Sequence, residues 1–170
     1  HKTTEVFGGG ERKHHPSAAE KGKVNSKITT ASTITFETNQ GAIIIQLRPD
    51  LAPETVSKMV ELVEKGYYSI KFFHRVVPGF VAQTGCPRGD GWGSPGFIMR
   101  SEFSEAPFVR GAVGMASAGA DTESSQWFIS LAPTPHLDGR YTVWGQVIQG
   151  MDVAHQLKVG DFITKASFRY

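Results

Sequence analysis

The stretch FFHRVVPGFVAQTG, from Phe72 to Gly85, places two polar side chains, Arg75 and Gln83, within strand-like apolar sequence. Residues two apart along a strand share a face, so each polar side chain lies beside apolar neighbours. A guanidinium is costly to bury without a partner. Arg75 therefore needs either a structural bond to a carboxylate such as Glu102 or a substrate, and the residue pattern leaves both interpretations open.

Short strand-like segments surround this stretch. TITFE and AIIIQL, separated by a turn at 39–41, predict a β-hairpin. A helix is predicted between Pro53 and Gly66, because apolar residues recur there at helical spacing. A second, short helix is predicted at 151–156. Further strands are predicted at residues 72–77, 81–84, 97–100, 111–116, 126–131, 141–147 and 161–168. This order predicts a mainly β fold, a closed antiparallel barrel with helices over its open ends.

The chain has 170 residues, a length that predicts a single folded domain. Its formal net charge is +2. Residues 1–30 are rich in Gly, Lys and Ser and carry six Lys/Arg against three Glu, which predicts a flexible linker or tail. The predicted domain at 31–170 is close to neutral and gives no footprint for nucleic acid. No apolar run is long enough for a membrane helix, so no membrane partner is expected.

Cys86 is the single cysteine, so no internal disulfide is expected and the redox compartment stays open. Cytoplasmic and periplasmic locations are both compatible with the sequence. The chain begins at His1 without a signal-type apolar region, which predicts a processed product or one domain of a longer chain.

Three short patterns suggest other chemistries, and their context argues against each. GWGSPG at 91–96 matches a dinucleotide-binding fingerprint, but it neither follows a strand nor opens a helix. A hydrolase triad of Ser124 or Ser125, His74 or His136, and Asp138 lacks the G-x-S-x-G elbow. The histidines beyond residue 70 lack metal-binding spacing, and those in residues 1–30 are interpreted as solvated. We therefore expect neither a metal ion nor a cofactor.

Three longer blocks, FHRVVPGFVAQTG, VGMASAGADTESSQWFIS and HLDGRYTVWGQVIQGMDV, resemble the signature blocks of the cyclophilin family of peptidyl-prolyl cis-trans isomerases. Their order and separation agree with that family, and the resemblance runs from about residue 34 to residue 168. It implies an eight-stranded closed antiparallel barrel capped by two α-helices, with a substrate groove on its outer face. The implied activity is rotation of X-Pro bonds in unfolded or flexible protein segments, which assists folding.

The resemblance also implies roles for individual residues. Arg75 stands at the position of the catalytic arginine. Apolar residues are implied to form a proline pocket, two glutamines to bond in the groove, and the backbone at 116–118 to hold the peptide extended. The implied substrate-binding residues are Phe80, Val81, Gln83, Gly91, Ala116, Ser117, Ala118, Gln126, Phe128, His136, Leu137 and Tyr141.

Four positions depart from the pattern common in the family. Val81 replaces a frequent Met, Ser117 a frequent Asn, and His136 the Trp that bonds cyclosporin in sensitive members. Tyr141 replaces a His, as in several bacterial members. The departures imply a bacterial-like, cyclosporin-insensitive variant with weak or no cyclosporin binding, while Arg75 is retained.

An arginine suits this reaction because no covalent bond is broken. The barrier to amide rotation is about 18–20 kcal/mol, and the prolyl nitrogen gains a lone pair when the bond is twisted. A rigid, permanently charged donor beside that nitrogen stabilises the twisted form more than the planar one. One charged hydrogen bond contributes only about 1.5–3 kcal/mol, so the pocket must also hold one side of the peptide while the other turns.

A second interpretation is a proline-peptide docking or chaperone module within a larger protein. Such a module needs the pocket but no donor aimed at the prolyl nitrogen, so Arg75 discriminates between the two. Proline-containing polypeptides are the expected partners in both cases. The expected state is a monomer or one domain of a longer chain.

Overall fold

The computed structural model describes residue 19 and residues 21–170, and within them it contains nine strands, two α-helices and one short 3-10 helix. None of these helices is long and apolar enough to cross a membrane. The strands are β1 (Thr33–Thr38), β2 (Gly41–Leu47), β3 (Lys71–Phe72), β4 (Arg75–Val77), β5 (Val81–Thr84), β6 (Ala112–Met115), β7 (Trp127–Ser130), β8 (Val143–Gln149) and β9 (Phe162–Arg169). The helices are α1 (Pro53–Glu64), α2 (Met151–Gln156) and the 3-10 helix Pro135–Leu137.

The sheet confirms the predicted mainly β, antiparallel fold. Its strand order is β3-β9-β1-β2-β8-β6-β7-β5-β4, and each paired strand runs antiparallel to its neighbour. The sheet has nine strands rather than eight because the segment predicted as one strand at 72–77 divides between the two edges. Phe73 bonds the turn that precedes β9: its amide donates to Asp161 O at 2.7 Å, and its carbonyl accepts the amide of Gly160 at 3.0 Å. The peptide chain at 73–74 therefore joins the two edge strands.

Helix α1 begins at Pro53, as the sequence predicts, but its N-cap residue is Ala52, which has no capping side chain. The carboxylate of Glu102 takes that place. It accepts the amides of Glu54 at 3.1 Å and Thr55 at 2.6 Å. An acidic group here also complements the helix dipole. Glu102 therefore caps α1, and the structural bond suggested between Arg75 and a carboxylate stays a prediction.

The main core lies on the inner face of the curled sheet. Trp127 is at its centre, with ring centroids 4.6 Å from Phe36, 5.9 Å from Trp144 and 6.4 Å from Phe73. The apolar face of α1 adds fully buried residues such as Met59. Alternate residues of the strands supply the rest of this core, so their neighbours are left on the outer face.

Two sequence predictions, the strand at 97–100 and the tail at 1–30, have different outcomes in the structure. The predicted strand at 97–100 is wrong: this segment is irregular and makes one isolated bridge, Met99 to Glu123. Most of the predicted tail lies outside the described residues, so the division at residue 31 stays a prediction. Within its described part, Ile28 is 5% exposed and belongs to the core, and Asn25 N donates to Ser57 Oγ at 2.8 Å.

Candidate active site

A row of side chains crosses the outer face of the sheet from β4 to β6. Arg75 lies opposite Gln83, Gln83 opposite Phe128, and Phe128 opposite Gly114. Residues directly opposite each other in antiparallel strands project from the same face. The strand register therefore places the guanidinium, the amide and the aromatic ring on one surface. The stretch from Phe72 to Gly85 predicted only part of this arrangement, because Phe128 lies outside it.

The apolar members of this surface form a second cluster, separate from the inner core. Its buried residues are Val81, Phe108, Ala112, Ala116, Phe128, Leu137, Tyr141 and Val143, with Leu51 and Phe80 partly buried against them. The five apolar residues named for the proline pocket and its edge from the sequence are thus brought together. Phe80 keeps partial exposure, whereas Leu137 and Tyr141 are 1% and 5% exposed.

Aromatic contacts fix the position of Phe128 in this cluster. Its ring stands edge-on to Tyr141 with centroids 5.9 Å apart and stacks on Phe108 at 5.5 Å. Gly114 makes this stacking possible, since a Cβ there would lie 2.7 Å from atoms of both phenylalanine rings. The result is a wall of fixed rings on the outer face.

Two buried glutamines form the polar edge of the same surface. Gln83 Nε2 donates to Gln126 Oε1 at 3.0 Å, and Gln126 Nε2 donates to the carbonyl of Gly91 at 3.1 Å. The loop at Gly91 in turn packs on His74, whose Cδ2 would be 3.1 Å from a Cβ at that position. Burial lowers the pKa of His74, so this support stays uncharged at neutral pH. The relay holds the glycine-rich loop against the site.

Arg75 is half-buried, with its guanidinium carbon 5.8 Å from the centroid of the Phe80 ring. That ring also stacks on His136, with centroids 5.4 Å apart. Burial lowers the pKa of Arg75 from its usual range, but an arginine keeps its charge at any working pH. The site therefore presents a charged, partly exposed side chain at the margin of an apolar cluster.

The segment at 116–118 borders the cluster. Ala116 is buried, and its amide donates to Gln126 O at 2.9 Å. Ala118 is exposed, and its amide donates to Thr122 Oγ1 at 2.8 Å, while Ser117 between them is 3% exposed. Bonds within the protein thus fix both ends of this segment in place.

The 3-10 helix Pro135–Leu137 turns Leu137 into the cluster and leaves His136 exposed. Asp138 fixes this turn by accepting the amide of Phe108 at 2.7 Å. Asp138 is thus a structural residue, which argues against its place in a hydrolase triad. Ser125 is structural as well, because its buried hydroxyl donates to Gly85 O at 2.8 Å.

Sequence reasoning missed Phe108, the ring on which Phe128 stacks. Phe108 lies in an irregular segment before β6, where no alternation marks a buried residue. The motif at 91–96 leads into the same irregular segment rather than into a helix. No group of three metal-binding side chains occurs in the part of the chain that the structure describes.

Comparisons with known proteins agree with this geometry. The family model "Cyclophilin type peptidyl-prolyl cis-trans isomerase/CLD" matches residues 33–167. The peptidyl-prolyl cis-trans isomerase of Helicobacter pylori (strain ATCC 700392 / 26695) is 43% identical over 146 residues, which cover 84% of this chain and 90% of that protein. Peptidyl-prolyl cis-trans isomerase B of Bacillus subtilis (strain 168) is 45% identical over 121 residues, covering 70% and 85%.

Solved structures show the same similarity. The crystal structure of a cyclophilin type peptidyl-prolyl cis-trans isomerase from Cryptosporidium parvum matches with a TM-score of 0.76 at 26% identity, covering 82% of this chain and 98% of that one. A second crystal structure of that protein, in the presence of the dipeptide Ala-Pro, matches with a TM-score of 0.75, covering 81% and 99%.

Proposed function

Because the chain belongs to the cyclophilin-type peptidyl-prolyl cis-trans isomerases, we propose that Arg75 is its catalytic residue and that the outer-face cluster is its proline pocket. The enzyme rotates X-Pro bonds, so its substrates are proline-containing peptides. The observation that carries the assignment is the row from Arg75 through Gln83 to Phe128 across three neighbouring strands.

The row sets the distance between donor and pocket. Neighbouring strands lie about 4.8 Å apart, so the backbones of Arg75 and Phe128 are separated by roughly 10 Å. A prolyl ring seated against Phe128 would leave its nitrogen within the span that the long side chain of Arg75 can cover. When the bond twists, that nitrogen gains a lone pair, and the guanidinium stabilises it more strongly than it stabilises the planar amide.

The pocket contributes by restraining one side of the bond. The Phe128 ring, fixed by Phe108 and Tyr141, offers a rigid apolar wall for the pyrrolidine ring, with Val81 and Leu137 beside it. The donor alone supplies about 1.5–3 kcal/mol, whereas an acceleration of roughly 10⁴–10⁵-fold needs about 5.5–7 kcal/mol. Immobilising the ring while the acyl side rotates supplies the remainder.

Two residues of the site support the proposal that the protein binds cyclosporin weakly or not at all. His136 stands exposed above Phe80 and offers an imidazole where an indole donor would be required, and Val81 narrows the apolar contact. Inhibition of the wild-type isomerase by cyclosporin measures this directly. Inhibition at nanomolar concentration would contradict the proposal.

The decisive experiment is Arg75→Ala, assayed by NMR exchange between the cis and trans resonances of a proline tetrapeptide. We expect kcat/KM to fall by about 10²-fold, which corresponds to about 2.7 kcal/mol and matches the loss of one fixed donor to a developing charge. Arg169→Ala is the matched control, because this exposed arginine lies on β9, away from the row, and its loss should leave the rate unchanged.

Two results would count against the proposal. Unchanged exchange in Arg75→Ala would refute the catalytic assignment. A wild-type protein that binds the tetrapeptide but does not accelerate exchange would indicate a docking module instead.

A further inference from the structure

Glu123 is a buried carboxylate that the proposed chemistry does not use. It lies in the loop between β6 and β7 and is 1% exposed. Its Oε1 accepts from Ser101 Oγ at 2.8 Å, and its Oε2 accepts from Thr142 Oγ1 at 3.1 Å. Its backbone carbonyl also accepts the amide of Met99 at 2.6 Å. A charged group at this depth needs an explanation, because burying it is costly.

One oxygen of Glu123 secures the loop that follows the peptide-anchoring segment at 116–118. Ser101, which bonds that oxygen, also bonds Asp121 twice: Ser101 N donates to Asp121 Oδ1 at 2.9 Å, and Asp121 N donates to Ser101 Oγ at 2.8 Å. Asp121 has a φ of 58°, so the loop turns sharply at this point. The Ser101 hydroxyl thus receives one bond from the turn and passes another to Glu123.

The other oxygen of Glu123 reaches the wall of the proline pocket. Thr142 directly follows Tyr141, whose ring stands against Phe128. The Thr142 hydroxyl accepts the amide of Glu102 at 2.9 Å and donates to Glu123, while the Thr142 carbonyl accepts the amide of Met115 at 3.0 Å. The same carboxylate therefore connects the anchoring loop with the pocket wall.

We propose that Glu123, in its ionised form, is a positioning residue that sets the peptide-anchoring segment at 116–118 relative to the Tyr141 side of the proline pocket. The proposal rests on the function proposed above for this groove. Both hydroxyl groups donate to the carboxylate, so only the ionised form accepts both bonds with its two oxygens. Protonation turns one carboxylate oxygen into a donor, and an amide replaces one oxygen by an NH₂ donor. Either change removes one acceptor and loosens one side of the connection.

Glu123→Gln tests this positioning because it keeps the shape of the side chain and removes the charge. We expect kcat/KM for a proline tetrapeptide, which spans pocket and anchor, to fall by about tenfold. The affinity for the dipeptide Ala-Pro, which we expect to occupy the pocket alone, should stay within twofold of wild type. Glu105→Gln, an exposed change on the neighbouring irregular segment, is the matched control and should alter neither quantity.

Thr142→Val and Thr142→Ser separate the hydrogen bond from the volume of the side chain. Valine removes the hydroxyl and should reproduce the tetrapeptide defect, whereas serine restores the donor and should recover most of the turnover. Circular dichroism and thermal unfolding confirm that each variant is folded before its kinetics are compared.

The pH profile gives an independent readout. Burial raises the pKa of Glu123, with Asp121 acting in the same direction, while Ser101 and Thr142 oppose it. Other charged groups on the segment packed against it, Arg100 and Glu102, bond to helix α1 instead. Wild-type turnover of the tetrapeptide should therefore fall as the pH drops through this raised pKa, and Glu123→Gln should lack that step.

The contribution of Glu123 to the free energy of unfolding should increase as the pH drops, whereas turnover should fall. A carboxyl whose folded pKa lies above its unfolded value binds more protons in the native state, so its contribution to stability increases as the pH falls through that interval. The difference in unfolding free energy between wild type and Glu123→Gln isolates this contribution. Acidification that stabilises the fold while slowing turnover is a signature that a purely structural residue would not give.

Unchanged tetrapeptide turnover in Glu123→Gln would overturn the proposal, and so would an equal loss of dipeptide affinity, which would indicate general damage to the pocket. Either result leaves the assignment of Arg75 intact. Failure of the groove assignment is recognised separately, by Arg75→Ala retaining wild-type exchange.

Discussion

The two faces of β5 and β7 differ sharply in composition, although both are formed by the eight residues of these two strands. On the inner face Ala82 lies opposite Ile129, and both are completely buried in the aromatic and aliphatic core. On the outer face Gln83 lies opposite Phe128, beside a charged arginine and a relay of amides. The inner face is completed by the protein itself, whereas the outer face carries the groups that we propose bind the peptide.

This difference follows from the period of two along a strand, which places neighbouring residues on opposite faces of the sheet. A substitution on the inner face should therefore change the free energy of unfolding, and one on the outer face should also change catalysis. Both clusters contain fully buried residues, so burial alone does not separate core from site. The separation comes from register.

The largest expected effect comes from the adjacent pair Ile129 and Phe128. Ile129→Ala should lower the free energy of unfolding by about 2–5 kcal/mol through the cavity it leaves, with kcat/KM per folded molecule unchanged. Phe128→Ala should cost about 3–5 kcal/mol and also weaken peptide binding, because it removes the pocket wall. Denaturant unfolding and the NMR exchange assay measure the two quantities. Equal catalytic losses in both variants would contradict the division between faces.

Local sequence signals predicted the elements that form from neighbouring residues. The hairpin of β1 and β2 and helix α1 were recognisable from alternation, helical spacing, and Pro and Gly at their ends. The division of the strand predicted at 72–77 was not, because it depends on Phe73 bonding residues almost ninety positions further along the chain. The segment at 97–100 has strand-like residues but lacks an adjacent strand edge, so its apolar character was misleading.

The candidate site was predictable in a similar, partial way. Alternation placed Val81 with Gln83 and Gln126 with Phe128, and the family resemblance supplied their implied roles. The role of Glu102 could not be chosen from sequence, since only the fold shows this residue at the start of α1. Glu123 escaped notice because a single acidic residue in a loop is ordinarily solvated.

Two glycines that face opposite sides of the sheet give a more precise test with a smaller effect. A Cβ at Gly114 would lie 2.7 Å from the rings of Phe108 and Phe128, and one at Gly145 would lie 2.5 Å from the inward-facing Ile45. Each change to alanine should cost about 1–3 kcal/mol of stability through overpacking. Only Gly114→Ala should lower kcat/KM, because it displaces the Phe128 ring. Normal turnover in Gly114→Ala would show that the exact seat of this ring is unimportant.

The smallest effect concerns Ile70, which belongs to neither face. It is 55% exposed and has a φ of 57°, a left-handed conformation that is unfavourable for a β-branched residue. Ile70→Gly should remove this strain, and the gain should exceed the entropy lost by introducing glycine, for a net stabilisation of about 0.5–1 kcal/mol. Thermal unfolding measures the gain, and Ser69→Gly, at the preceding exposed position without a positive φ, is the matched control and should be destabilising. Since the Ile70 side chain is exposed and lies outside the row from Arg75 to Phe128, turnover should be unchanged. A loss of turnover on stabilisation would show that catalysis depends on overall flexibility as well as on the outer face.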